Sequence, residues 1–529
     1  MTDEAIYSHA AVAAPHSLAA EAGRDVLVQG GNAIEAMVAM AAAIAVVYPH
    51  MNAIGGDGFW LIRDPKGKVR SIEACGFAGA DATILRYRKL GYDAIPTRGP
   101  NAALTVPGAI GGWALALELS AAVGGRLPLG VLLERAEKLA REGVAVSASE
   151  ARFDPLSDPE LVAAPGFAAT YFLDGKPAPA GAIRKQTRLA DTLAQLAHAG
   201  LNDFYRGDIA REISADLERI GSPVIRADLK AYRAAWREPL SVRLKNAVVY
   251  NTPAPTQGLA SLILLGLYER LGARNLESFE HAHALIEGFK RAQAVRDRVC
   301  IDYAIATDDF SLLTSPAFLE SEAAQIEKRR AAPWPLPAAK GDTVWMGAID
   351  AEGVAVSYIQ SVYWEFGSGC VLDRTGVLMQ NRGVAFSLDA GARRALRPGR
   401  RPFHTLNPPL AVFDDGRVLS YGSMGGDGQP QFQAQVFARI DAGQNLADAV
   451  AAPRHVFGRT WGAGSASVKL EAGYDDAVAS ALARAGHEIE RREPKDCDSF
   501  GHAGALMRSP KGVIAATHDP RSDGGSAGF

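Results

Sequence analysis

The chain has 529 residues, 48% of them hydrophobic and 22% charged, which is enough apolar material for a large folded core. A net charge of −3 speaks against a strongly basic surface of the kind that nucleic acid or an anionic membrane demands. The four cysteines, Cys75, Cys300, Cys370 and Cys497, are scattered without a CxxC pair, a pattern expected of reduced thiols in a cytosolic protein.

The opening MTDEAIYSHAAVAAPHS lacks the positive and apolar regions of a secretory signal, so the expected location is cytoplasmic. Gly30-Gly31-Asn32 is a turn signal. The alanine-rich stretch from Ala36 to Tyr48 is too short to span a bilayer and predicts a buried helix ending near Pro49. Gly55-Gly56-Asp57-Gly58 then turns the chain into a strand at Phe59-Trp60-Leu61-Ile62. Residues 112–145 and 186–220 carry apolar residues at three- and four-residue spacing and predict helices. A strand is expected at 246–251, a turn at Pro253-Ala254-Pro255, and two helices over 258–304. Residues 329–341, RRAAPWPLPAAKG, form a proline-rich linker expected to be exposed and extended. Short strands with glycine turns follow at 343–350, 354–361, 369–372, 376–380, 409–413 and 418–422, then helices at 443–453 and 474–486. Helices, then strands, then helices favour a layered α+β architecture.

The linker ends in Gly341-Asp342-Thr343, where a strand begins at once. A threonine hydroxyl is a poor nucleophile at neutral pH and needs a base within hydrogen-bond reach. A threonine at a chain terminus carries its own base, an α-amino group with a reference pKa of about 8. Cutting the Asp342–Thr343 bond would free that amine. Taken alone, Thr343 reads as an ordinary β-branched residue opening a strand, and only its surroundings single it out.

Those surroundings are GGNAIEA (30–36), YPHMNAIGGDGF (48–59), TVPGAIGGW (105–113), WREPL (236–240), DT (342–343), FGSG (366–369), NRG (381–383), RPFHT (401–405), GSMGG (422–426), APRH (452–455) and DPRSDG (519–524). In order and spacing the chain resembles, over nearly its whole length, the γ-glutamyltranspeptidase family of N-terminal-nucleophile hydrolases. The resemblance implies a four-layer αββα sandwich. It implies self-cleavage into a helix-rich large subunit, 1–342, and a small subunit, 343–529, headed by the catalytic Thr343, the two forming one intertwined fold. By the same resemblance Ser361 assists the nucleophile, and Gly425 and Gly426 offer backbone N–H groups to the oxyanion, where only glycine lets the backbone approach so closely.

The glutamyl pocket departs from the family pattern. Where the family has an arginine after an Ala-Thr pair, Ala82-Thr83 is followed by Ile84, with Arg86 and Arg88 close by. The family's acid for the substrate α-amino group falls at Ala385, its paired serines at His404 and Thr405, and an asparagine at Tyr363. What remains is Arg382, Tyr363, His404, Thr405 and Asn407, with Arg382 able to grip a carboxylate in two-pronged fashion and no evident acid for an ammonium. This resembles the branch containing oxamate amidohydrolase and related acylases. The expected reaction is hydrolysis of a small carboxylate amide such as oxamate to oxalate and ammonia. The alternatives are a γ-glutamyl hydrolase or transpeptidase acting on glutathione, and, from a different class, an uncleaved binding protein of the same fold. No metal or organic cofactor is expected: His281 and His283 are two apart on a helix, and no histidine, cysteine and acid cluster has ligand spacing. Neither GGDG sequence opens a dinucleotide-binding unit. The basic run from Arg393 to Arg401 reads as a solvated loop, although Arg401 adjoins the RPFHT motif.

Overall fold

A helix of fifteen residues, Ala33–Val47, is buried along its whole length and forms the centre of one packing layer. Its alanines and β-branched residues present no polar group to the surrounding core, and Glu35 is used up at its start. Asn32 caps it by accepting from Ile34 and Glu35, while the Glu35 side chain reaches back to the Asn32 N–H, a reciprocal capping box. A second chain region ties in here, because Asp350 Oδ2 accepts from the Ala33 N–H at 2.9 Å. The computed structural model that shows this describes residues 4–334, 342–458 and 465–529.

Two seven-stranded sheets, antiparallel throughout, form the middle of the molecule. One runs in the order Ala5–Tyr7, Ile514–His518, Ala503–Arg508, Val418–Ser423, Leu410–Phe413, Ala247–Asn251, Leu240–Arg243. The other runs Gly525–Gly528, Ala11–Ala14, Asp342–Ile349, Ala355–Tyr363, Asp57–Arg63, Val69–Ala74, Ala235–Arg237. Alternation along each strand fixes the layers. In Asp342–Ile349, Trp345 and Ile349 join Phe59, Leu61, Leu410, Val418 and Leu506 between the sheets. Val344 and Met346 point the other way, into the helix layer built on Ala33–Val47. Helices Gly258–Leu271, Phe279–Val299 and Gln429–Asp441 cover the opposite sheet. The result is a four-layer αββα sandwich, as expected.

Most elements expected from the sequence are present. The differences have physical reasons. Residues 369–372 and 376–380 are not strands of a sheet. They meet only at a bridge between Val371 and Leu378, because the turn residues Phe366, Gly367 and Gly369 all have positive φ and curl the segment. Helix Gln429–Asp441 was not legible: it is buried on nearly all sides, and the buried Gln429, Gln431, Gln433 and Gln435 interrupt the apolar periodicity of Phe432, Ala434, Val436, Phe437 and Ile440. The strands near residues 503–528 are short and rich in alanine and glycine, with little β-propensity to mark them. Of the linker, residues 335–341 lie outside the described residues. Its beginning is held rather than free: Ala331 N–H donates to Ala485 O at 2.8 Å and Ala332 N–H to Glu287 Oε2 at 3.1 Å. Among the described residues, no helix is long and apolar enough to cross a membrane, and Cys75, Cys300 and Cys370 are buried free thiols.

The C-terminal strands depend on a buried ion pair. Arg454 Nη2 donates to Asp519 Oδ2 at 2.6 Å, and its Nη1 holds Phe500 O and Gly501 O. Burial pushes the Asp519 carboxyl up, but Arg454 and Arg521 outweigh it and hold the group below its ordinary range. A depressed carboxyl stabilises the fold above the unfolded pKa of about 4 and loses that contribution as the pH falls further. Asp519→Asn should therefore cost about 3–5 kcal/mol at pH 7, by stranding a buried arginine. The same variant should lose less stability than the wild type between pH 7 and pH 3. Thermal melting at the two pH values measures both.

Candidate active site

Pairing of Asp342–Ile349 with Ala355–Tyr363 brings the linker end to the centre of a sheet. Asp342 lies opposite Tyr363, and the register shifts between Asp342 and Val344, so a bulge falls at Thr343. The Thr343 hydroxyl donates to Ser361 Oγ at 3.2 Å, and Ser361 Oγ also accepts the Tyr363 N–H at 2.8 Å. Both side chains are buried. Tyr363 closes this strand with φ of +87°, a conformation that costs a non-glycine residue about 1–3 kcal/mol. Its ring lies against Arg382, whose guanidinium carbon stands 3.4 Å from the ring centroid.

Arg382 is 2% exposed. Its Nη1 donates to Thr405 Oγ1 at 3.1 Å, while Nε and Nη2 meet no acceptor in hydrogen-bonding geometry. Burial lowers its pKa, and nearby Tyr363 and Asp57 only partly offset that. Nε and Nη2 form one edge of the guanidinium fork, the edge that takes a carboxylate side-on. His404 is fully buried with neither ring nitrogen in a hydrogen bond of good geometry, and burial, together with the Arg382 and Arg401 charges, keeps it neutral. Its Nε2 lies 3.3 Å from Asp57 Oδ2.

Asp57 is a site residue that the sequence reading passed over. It faces Ser361 across the pairing of Asp57–Arg63 with Ala355–Tyr363. Directly opposed residues share a face of the sheet, so Asp57 belongs to the same pocket wall. The expectation of a pocket without an acid is corrected by this residue. The available signal was its position: an aspartate leading into the buried apolar run Phe59-Trp60-Leu61-Ile62.

The glycine pair Gly425-Gly426 is braced from behind. Gly425 and Gly426 adopt φ of +124° and +50°, which glycine alone adopts without strain. Gln257 Nε2 donates to Gly426 O and to Thr405 O, each at 2.8 Å, so one amide ties the glycine turn to the RPFHT loop. Arg296 Nη1 in turn donates to Gln257 Oε1 and Asp427 Oδ1, each at 2.7 Å. Asn407, expected in the pocket, has its amide engaged within this frame by Thr405 O, Gln429 and Ser261. Arg86 and Arg88 are engaged elsewhere, with Gly221 O and Asp93, and Thr83 caps the helix that begins at Ile84. Arg401 is drawn to Glu73 at 2.9 Å. Ala385 packs against the far helix layer.

Folding does assemble one metal-type group that the sequence spacing concealed: His283, Glu287 and His487. Its hydrogen bonds close internally. His283 Nε2 donates to Glu327 O at 2.7 Å, leaving Nδ1 to accept from His487 Nε2 at 2.9 Å. The Lys290 ammonium sits on Glu287 at 2.7 Å, where it competes with any cation.

A family model described as gamma-glutamyltranspeptidase matches residues 19–529. The chain is 45% identical to the oxamate amidohydrolase proenzyme of Klebsiella pneumoniae subsp. pneumoniae, over 99% of both chains. It is 37% identical to the glutathione hydrolase-like YwrD proenzyme of Bacillus subtilis, over 98% of both. The crystal structure of cephalosporin acylase from Bacillus halodurans superposes with a TM-score of 0.91 at 32% identity, covering 100% of this chain and 97% of that one.

Removing the Gln257 brace should loosen the glycine turn. Gln257→Leu is expected to destabilise the protein by about 2–4 kcal/mol, since the buried Gly426 carbonyl loses the Gln257 donor and Arg296 loses an acceptor, while Thr405 O keeps its bond from Asn407. Amide hydrogen exchange over residues 424–428 should accelerate more than exchange in the strand cores.

Proposed function

The chain belongs to the γ-glutamyltranspeptidase family, and from that premise we propose that it is a self-processing amidohydrolase acting on a small carboxylate amide such as oxamate. In this reading cleavage between Asp342 and Thr343 yields subunits 1–342 and 343–529. The freed Thr343 Oγ attacks the amide carbonyl while the α-amine takes the hydroxyl proton. Ser361 orients that hydroxyl, and the Gly425 and Gly426 amides receive the oxyanion. The C–N bond breaks, the proton leaves with ammonia, and water then hydrolyses the threonyl ester to release the acid. Asp342 supplies the carbonyl side of the bond that is cut.

The substrate class rests on one observation: Arg382 is a buried cation whose side-on edge lacks an acceptor. A buried charge left unpaired is costly, and a bound carboxylate completes it. Tyr363 stacks on the guanidinium, Thr405 fixes its orientation, and His404 lines the same pocket, with Asn407 bracing the loop that carries them. A γ-glutamyl head group would also need an anion for its ammonium. Asp57 serves that need poorly, because burial raises its pKa to about 7 against the hydrogen bonds it receives from Gln380, Gly76 and Gly108. The 45% identity to an oxamate amidohydrolase proenzyme supports the same choice over glutathione.

A side-by-side assay tests it. Ammonia release from oxamate should show a higher kcat/KM than p-nitroaniline release from a γ-glutamyl anilide. Arg382→Gln should raise KM for oxamate about a hundredfold, the equivalent of one lost charge-assisted bidentate contact at about 2.7 kcal/mol. Preferential turnover of the anilide would contradict the assignment.

A further inference from the structure

The pocket holds a second incomplete pair beside Arg382. Asp57 Oδ1 accepts three hydrogen bonds, from Gly76 N, Gly108 N and Gln380 Nε2, each at 3.0 Å. An oxygen so engaged is an acceptor only, so a proton on this carboxyl resides on Oδ2. Oδ2 has no partner except His404 Nε2, 3.3 Å away, and His404 Nδ1 has none. Phe59 packs edge-on to the imidazole at 4.9 Å and fixes the ring plane. The backbone of His404 is pinned as well, since its N–H donates to Pro255 O and its carbonyl accepts from Gln257 N–H.

We propose that Asp57 is a positioning residue that sets the tautomer of His404, so that the pocket offers a ring N–H to a bound carboxylate only while Oδ2 carries a proton. The proposal rests on the reading of Arg382 as the carboxylate anchor. When Oδ2 is protonated, it donates to Nε2 and the ring hydrogen sits on Nδ1. When Oδ2 is ionised, the ring hydrogen moves to Nε2 to serve the carboxylate, and Nδ1 turns a lone pair toward the ligand. The imidazole is neutral in both states, and one proton enters or leaves with the change.

The charged groups that face the pair are Arg382 and Arg401. Cys75, Tyr205, Tyr232 and Tyr358 also lie within its field, and burial holds all four in their neutral forms. Arg382 favours the carboxylate and burial opposes it, with burial the larger effect. A bound carboxylate adds negative charge beside the pair and draws the proton onto Oδ2. Binding above pH 7 therefore takes up a proton, and affinity falls as the pH rises.

The test is the pH profile of KM for oxamate with the self-cleaved enzyme between pH 6 and 9. For the wild type, KM should be flat below about pH 7 and rise above it, approaching tenfold per pH unit. The kcat profile reports the Thr343 amine separately. In Asp57→Asn the amide oxygen keeps the three donors, and the amide N–H faces His404 Nε2 at every pH, imitating the protonated state. Its KM should be independent of pH. A flat wild-type profile, or an unaltered rise in Asp57→Asn, would overturn the proposal. Arg382→Gln separates the two readings: if it leaves KM unchanged, the anchor and the tautomer proposal fall together. If it raises KM while Asp57→Asn keeps the wild-type rise, only the tautomer proposal falls. Should Asp57→Asn not fold, the ¹⁵N shifts of the His404 ring in the wild type, assigned by their loss in His404→Gln, decide the matter. Exchange of protonated-nitrogen character between Nδ1 and Nε2 near pH 7 is required, and constant shifts would refute it.

Discussion

Everything at the site depends on one antiparallel pairing, that of Asp342–Ile349 with Ala355–Tyr363 in the middle of a seven-stranded sheet. It sets Thr343 against Ser361, puts Tyr363 under strain beside Arg382, and, through the next strand, brings Asp57 to the same wall. It also explains how a cut ahead of Thr343 would leave the molecule intact. The strand after the cut is flanked by Ala11–Ala14 and Ala355–Tyr363, and the first of these belongs to the segment before it. Neither segment completes a sheet or its covering core without the other.

The pocket is an electrostatic compromise among buried groups. Arg382 carries a charge that burial disfavours, His404 is held neutral, and Asp57 is poised between two states. Such a set of incompletely bonded polar groups is expensive in a resting protein. Its members are held in place by neighbours that are fully bonded: Gln257 and Arg296 behind the glycine turn, and Asn407 behind the RPFHT loop. Rigid, satisfied polar groups surround unsatisfied ones, which is the arrangement that preorganisation of a site requires.

How much of this the sequence disclosed follows from the physics of each element. The buried helix Ala33–Val47 and the paired strands around Thr343 announce themselves by apolar runs and glycine turns. Thr343, Ser361, Arg382, His404 and Thr405 were reachable through motif order, and folding brings them together. Asp57 was in plain view within GGDGF, but its role depends on a strand register that no local pattern encodes. Gln257 and Arg296 act through contacts spanning more than a hundred residues to Gly426 and Asp427, so spacing could not reveal them. The same limit applied to His283, Glu287 and His487.

The central claim is that Thr343 becomes a chain terminus and then a nucleophile. Intact mass spectrometry of the purified protein, with Thr343→Ala alongside, addresses it most directly. The account predicts two fragments from the wild type, divided between Asp342 and Thr343, and one uncut chain from the variant. A wild-type chain that stays whole after long incubation, or a break at any other bond, would contradict it.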